Sequence, residues 1–211
     1  MFLSHFAVGL VGKRYAPAIS LGTWFLAVQF VDLLWPFFLL AGVEQVRVVP
    51  GITAFTPFDF SHYPITHSLV GGVVWALLLA AGSGAFYRNA NAAMLLAAGV
   101  ISHWVLDVIS HRPDMPVLPS GPYLGFGLWN SIPATIAVEL LIFISGIFVY
   151  SRDRRPTPAF WLMVGFMLFA FFGAAFGPTP PEDVTALALS ALAVWLFVPW
   201  AWWADRAAKR V

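Results

Sequence analysis

Long apolar runs, separated by short polar punctuation, organise this chain. A helix that crosses the hydrocarbon core of a bilayer needs about 20 mostly apolar residues. Stretches 21–42, 65–87, 91–110, 129–150, 159–177 and 184–204 meet that requirement, so the pattern predicts about six spans. Residues 1–12 are apolar but too short to cross, and they lack the basic start of a signal peptide. They read as a short interfacial or partly inserted helix. No internal repeat and no low-complexity tract interrupts this pattern.

The basic residues orient the spans. Lys13, Arg14, Arg88, Arg152, Arg154, Arg155, Arg206, Lys209 and Arg210 fall on the side of the N-terminus, whereas only Arg47 and Arg112 fall on the other. Cytoplasmic loops carry the excess of Lys and Arg, so both termini are expected in the cytoplasm. Of the outer connections, 43–64 and 111–128 are long and rich in Pro and Gly. Long loops of this kind tend to carry or cover a functional site.

Composition narrows the class. Of 211 residues, 60 % are hydrophobic and only 10 % charged, and the mean hydropathy is +0.82. Soluble domains carry about 25 % charged residues, so a soluble enzyme, a disordered chain and a nucleic-acid binder are all excluded as readings. The absence of cysteine removes disulfides, thiolate metal sites and cysteine nucleophiles. The expectation is an all-α, polytopic transmembrane bundle with a short N-terminal helix. It forms a single integral membrane domain over residues 1–211 of a cytoplasmic (inner) membrane.

Within such a chain each intramembrane ionisable group costs about 2.5–3.5 kcal/mol on insertion scales and needs a reason. Asp32, Asp107 and Glu139 lie inside predicted spans, and the histidines are His5, His62, His67, His103 and His111. His103 and Asp107 are four apart and share a helix face, with His111 continuing it. Imidazole and carboxylate at that spacing suit Zn²⁺, Mn²⁺ or Fe²⁺; a plain His–Asp hydrogen bond is the other reading. His62 and His67 flank Pro64 at the start of the second predicted span, as ligands or as interfacial polar anchors. Asp32 precedes Pro36 by four residues, which predicts a kink and a freed carbonyl there. That makes Asp32 a cation site, the start of a proton path, or a hydrogen-bonded structural acid. At 1.5 Å per residue from the cytoplasmic ends, Asp32 lies about 16 Å deep, His103 and Glu139 about 20 Å, Asp107 about 25 Å and His67 about 30 Å. A helix rising from Lys13 brings His5 to about 12 Å. These depths place one polar site in the outer half of the bilayer.

The same residues resemble the YdjM-like family of membrane-bound, metal-dependent hydrolases, distantly related to zinc-dependent phospholipase C. His5 matches the family's early histidine, and Asp32 its first acidic motif. Thr66-His67-Ser68, with His62 upstream, matches a His-x-x-x-Thr-His-Ser motif, and His103-x-x-x-Asp107 matches a His-x-x-x-Asp motif. Residues 1–115 carry the resemblance. Tyr63-Pro64 stands where the family has Arg-Gly, and Asp32 lacks the family's neighbouring proline and second aspartate.

The resemblance implies a divalent ion, Zn²⁺ before Mn²⁺ or Fe²⁺, held by His67, His103 and Asp107 with His5, His62 and Asp32. It implies hydrolysis of an ester or phosphoester, lipid-linked given the setting among membrane lipids. Asp32 or Glu139 is then the general base, and His111 or Arg112 steadies developing negative charge. The alternative expectation is a proton- or cation-coupled transporter using the same polar residues.

Overall fold

The computed structural model describes residues 1–210. Helix α1 (Leu3–Tyr15) is followed by α2 (Leu21–Val28) and α3 (Phe30–Leu40), which meet at a 54° bend and together are long and apolar enough for one broken span or a re-entrant loop. The single turn α4 (Pro64–His67) leads into α5 (Leu69–Tyr87), and α6 (Ala90–Ser110) returns antiparallel to it. Next come α7 (Ile132–Ser151) and α8 (Pro158–Phe176). The last span, Val184–Arg206, is α9 (Val184–Ala191) and α10 (Phe197–Arg206) joined by a 3₁₀ segment. Among the described residues, five helices are long and apolar enough to cross a membrane, and six if the bent pair counts as one, in keeping with the hydropathy pattern.

Two differences from that pattern matter for function. The first is where the first span breaks. The sequence placed the kink at Asp32–Pro36, but the helix breaks at Gln29 and Pro36 sits inside α3. The second is at the start of the next span. Ser68 has extended backbone (φ −74°, ψ 152°), so the chain interrupts between His67 and Leu69 instead of running on from residue 65. The Ser68 hydroxyl donates to the Pro64 carbonyl at 2.5 Å and accepts from Gly71 N–H at 2.9 Å, capping α5.

The long connections are not irregular throughout. β1 (Gln45–Val48) and β2 (Phe58–His62) form an antiparallel hairpin, and β3 (Met115–Pro116) pairs with β4 (Tyr123–Leu124). Both lie at one end of the bundle. The opposite end is basic: Lys13 pairs with Asp205 at 2.9 Å, Arg14 with Asp153 at 2.5 Å, and Arg154 with Asp205 at 3.2 Å. There β5 (Arg154–Arg155) pairs with β6 (Lys209–Arg210).

Helix α1 does not lie along a surface. Leu3, Ser4, His5 and Phe6 are fully buried, and α1 packs mainly on α7. The approach is close because Gly146 of α7 has no side chain: a Cβ there would stand 2.8 Å from the Ala7 Cα. Leu3, Phe6, Phe25, Phe143, Phe160 and Phe171 form one core with α2, α7 and α8; Trp24, Ala27, Leu96 and Val100 form another between α2 and α6. Large apolar side chains such as Leu77, Leu141, Phe148 and Phe169 cover the outside, as contact with lipid requires.

Candidate metal centre

Each residue of the polar cluster is positioned by a local device. Glu44, in the turn after α3, caps α4 by accepting from Ile65 N–H and Thr66 N–H, both at 2.8 Å, and from the Thr66 hydroxyl at 2.6 Å. The Thr66 proton is thereby committed to Glu44. Its oxygen, 2.7 Å from His67 Nδ1, accepts the His67 Nδ1–H. His103 is fixed in the same tautomer by a different route. The break after α2 leaves its last carbonyls without helical partners, and the Val28 carbonyl accepts His103 Nδ1–H at 2.8 Å.

Both imidazoles therefore turn Nε2 toward carboxylates, where a neutral ring presents a lone pair and an imidazolium donates a hydrogen bond. His67 Nε2 is 3.1 Å from Asp32 Oδ1. His103 Nε2 is 3.1 Å from Asp107 Oδ2 and 3.5 Å from Asp32 Oδ1, and it makes no hydrogen bond although buried. Two arrangements satisfy these contacts: an imidazolium Nε2–H donating to the carboxylate, or a cation held between the carboxylates and two neutral rings. With bonds of about 2.0–2.1 Å, two ligands of a tetrahedral ion stand about 3.3–3.4 Å apart. The observed separations bracket that edge length.

His5 enters from α1. Its Nε2 lies 3.1 Å from Asp107 Oδ1, and its ring stacks on His103 at 3.7 Å. The Met1 amine also pairs with Asp107 and lies 3.0 Å from Ser110 Oγ. Two sets of three ligand atoms thus each lie within 4.8 Å of one another: His5, His103 and Asp107, and Asp32, His67 and His103. They share the single Nε2 lone pair of His103, so that nitrogen serves one ion. Asp32, whose side chain is 30 % exposed, opens onto a cavity; His103 and His5 are sealed behind it.

That cavity has a volume of about 280 Å³. Asp32, His67 and Asp107 line it together with the aromatic side chains of Trp35, Phe58, Phe60 and Trp129.

The remaining expected site residues are placed elsewhere. His62 ends β2, exposed and paired across the hairpin with Gln45, so it lies outside both ligand sets. The strand, and not the following turn, claims its backbone. Glu139 touches the cavity, but its carboxylate accepts from Phe2 N–H (2.7 Å), Ser4 N–H (2.8 Å) and the Ser4 hydroxyl (2.7 Å). Those bonds cap the start of α1, where a negative group suits the helix dipole. His111 caps α6, with Nδ1 3.0 Å from Asp114 Oδ1 and its ring 4.2 Å from Trp129. Burial holds its pKa below the usual imidazole range, against the opposing pull of Asp114. Arg112 is bound to Asp59 and to Asp114 (2.9 Å), and lies outside the cavity lining.

Sequence reasoning missed Glu44, Thr66 and the Val28 carbonyl as the groups that orient the two histidines. Glu44 stands in no motif; only its burial, at 1 % exposure, marks it.

Residues 3–177 match the family model described as YdjM inner membrane protein. No curated protein and no solved structure matches the chain.

Proposed function

The chain belongs to the YdjM inner membrane protein family, and from that membership and the geometry of the His/Asp cluster we propose that it is a metal-dependent hydrolase of the inner membrane acting on an ester or phosphoester of a lipid-like substrate. The observation that carries this reading is the pair of histidines whose Nδ1–H groups are spoken for, leaving His67 Nε2 and His103 Nε2 aimed at Asp32 and Asp107. A divalent ion, Zn²⁺ before Mn²⁺ or Fe²⁺, satisfies all four groups at once.

When bound, such an ion supplies Lewis acidity and brings the pKa of a coordinated water toward about 7. The chain's own residues do the rest. His67, His103, Asp32 and Asp107 fix the position, with His5 bracing Asp107 and the His103 ring. Asp32, the ligand most open to the cavity, takes a proton from water entering there. The aromatic walls exclude bulk solvent and strengthen the electrostatics inside. Glu139, held by three donors of α1, positions that helix and is not the base. In this reading the basic end of the bundle faces the cytoplasm, which puts the cavity in the outer leaflet.

The test is metal analysis of detergent-purified protein beside His103→Ala. The expected result is near-stoichiometric Zn, Mn or Fe in the parent and its loss in the variant. Absence of metal from both, after purification in metal-supplemented buffer, would overturn the reading.

A further inference from the structure

Most of the cavity lining is apolar, with Asp32, His67, Asp107, His111 and Glu139 as its ionisable side chains, and α8 contributes part of it. Ala170 and Ala174, one helical turn apart on α8, line the cavity and are exposed. Phe171 between them is buried in the core. Two such small side chains keep the α8 lip of the cavity low.

Size and charge limit what can enter. About 280 Å³ is roughly twice the cavity of about 150 Å³ that takes a benzene-sized molecule, which suits a stretch of on the order of ten chain carbons. Among the described residues, no lysine or arginine lines the cavity. The Met1 amine is paired with Asp107, His111 is engaged with Asp114, and both outer arginines, Arg47 and Arg112, are bound to Asp59. With a divalent ion bound, that ion and the Met1 amine would just balance Asp32, Asp107 and Glu139, so the lining holds no spare positive charge. An anionic phosphate in that setting is a buried charge with too little compensation.

We infer that the site takes a single-chain amphiphile through the Ala170/Ala174 lip and acts on its uncharged carboxylic ester, so that the substrate class is monoacyl ester and not phosphoester. The inference rests on the hydrolase reading above and narrows it. In the reaction the water oxygen bonds to the acyl carbon and the acyl C–O bond breaks. One water proton goes to the leaving alcohol oxygen, and the other remains on, or ionises from, the carboxylic acid product.

The experiment uses full-length protein in phosphatidylcholine nanodiscs and a diazirine-bearing monoacylglycerol, with metal content measured on the same samples. Labelling is expected in peptides containing Phe55–Phe60 and Ala170–Ala174. Monooleoylglycerol should compete at least about tenfold better than oleoyl lysophosphatidic acid of the same chain. Ala174→Trp, or Ala170→Val where the first variant fails to fold, should cut labelling about tenfold at unchanged metal content. Equal or better competition by the phosphate lipid, or labelling indifferent to a folded lip variant, would overturn the inference while leaving the metal reading standing. Loss of metal from the parent would overturn that reading instead.

Discussion

The imidazoles of His5 and His103 lie nearly parallel, 3° apart with ring centroids 3.7 Å apart, and both direct Nε2 toward the Asp107 carboxylate. Helix α1 is therefore an inserted part of the centre, and whatever seats α1 seats His5. Two contacts do so: the Gly146–Ala7 approach and the Glu139 cap.

Gly146→Val should displace α1 from α7. Overpacking of a close contact costs about 1–3 kcal/mol, so the melting temperature should fall and metal affinity with it. Glu139→Ala leaves the Phe2 and Ser4 donors without their acceptor, at about 1–3 kcal/mol for the buried groups, and should give the same pair of losses. Glu139→Gln separates positioning from catalysis. A variant with full metal content and parental melting behaviour but about 100-fold lower turnover would restore Glu139 as the base.

Outer hydrogen-bond partners of metal-bound histidines typically carry about 10–100-fold in metal affinity. Thr66→Val removes the acceptor for His67 Nδ1–H, and Glu44→Gln weakens the cap that holds Thr66. Each should raise the metal dissociation constant by about that range in competition with a chromophoric chelator, and Thr66→Ser should stay near the parent. Parental affinity in Thr66→Val would show that His67 is oriented by something else, or is not a ligand.

Topology gives an independent check. The ion pairs at the basic end, Lys13–Asp205, Arg14–Asp153 and Arg154–Asp205, gather the residues the positive-inside rule puts in the cytoplasm. Reporter fusions after Arg155 and after Val211 should report cytoplasm, and fusions near Thr56 and Pro119 should report the outside. An outside signal at Arg155 would reverse the orientation and turn the cavity to the inner leaflet.

The spans and the His103-x-x-x-Asp107 pair were legible because both depend on short-range periodicity, apolar run length in one case and helical spacing in the other. His5 could be placed by depth along a helix rising from Lys13. What stayed hidden depends on contacts distant in sequence. The break at Gln29 carries no glycine or proline, whereas Pro36, the position that signals a kink in the sequence, lies inside α3 without ending it. Nothing local distinguishes Glu44 from a solvated loop acid until α4 folds over it. His62 belongs by motif to the His67 group, and cross-strand pairing with Gln45 takes it away.

A histidine must be neutral to hold a metal ion, and its unperturbed pKa is about 6.5. With several imidazoles in one site, each proton taken up competes with the ion, so occupancy should fall steeply between about pH 7 and about pH 5. A ligand that binds only the folded chain stabilises it in proportion to the logarithm of its saturation. The gain in melting temperature from added Zn²⁺ or Mn²⁺ should therefore be large at pH 7.5 and mostly gone near pH 5. His111 adds a smaller effect of the same sign. Burial lowers its folded pKa, so the unfolded chain takes up the proton first. Its contribution is full above about pH 6.5 and is lost as the pH falls below that value. This part survives chelation, and the metal part does not. Melting curves at both pH values, with and without chelator, separate the two. Prolonged dialysis against chelator at pH 7.5 should lower the melting temperature of the parent and leave Asp107→Asn, already short of metal, nearly unchanged. A parent whose melt ignores that dialysis holds no ion at His103. Full metal content in Asp107→Asn would remove Asp107 from the ligand set and leave Asp32, His67 and His103 as the centre.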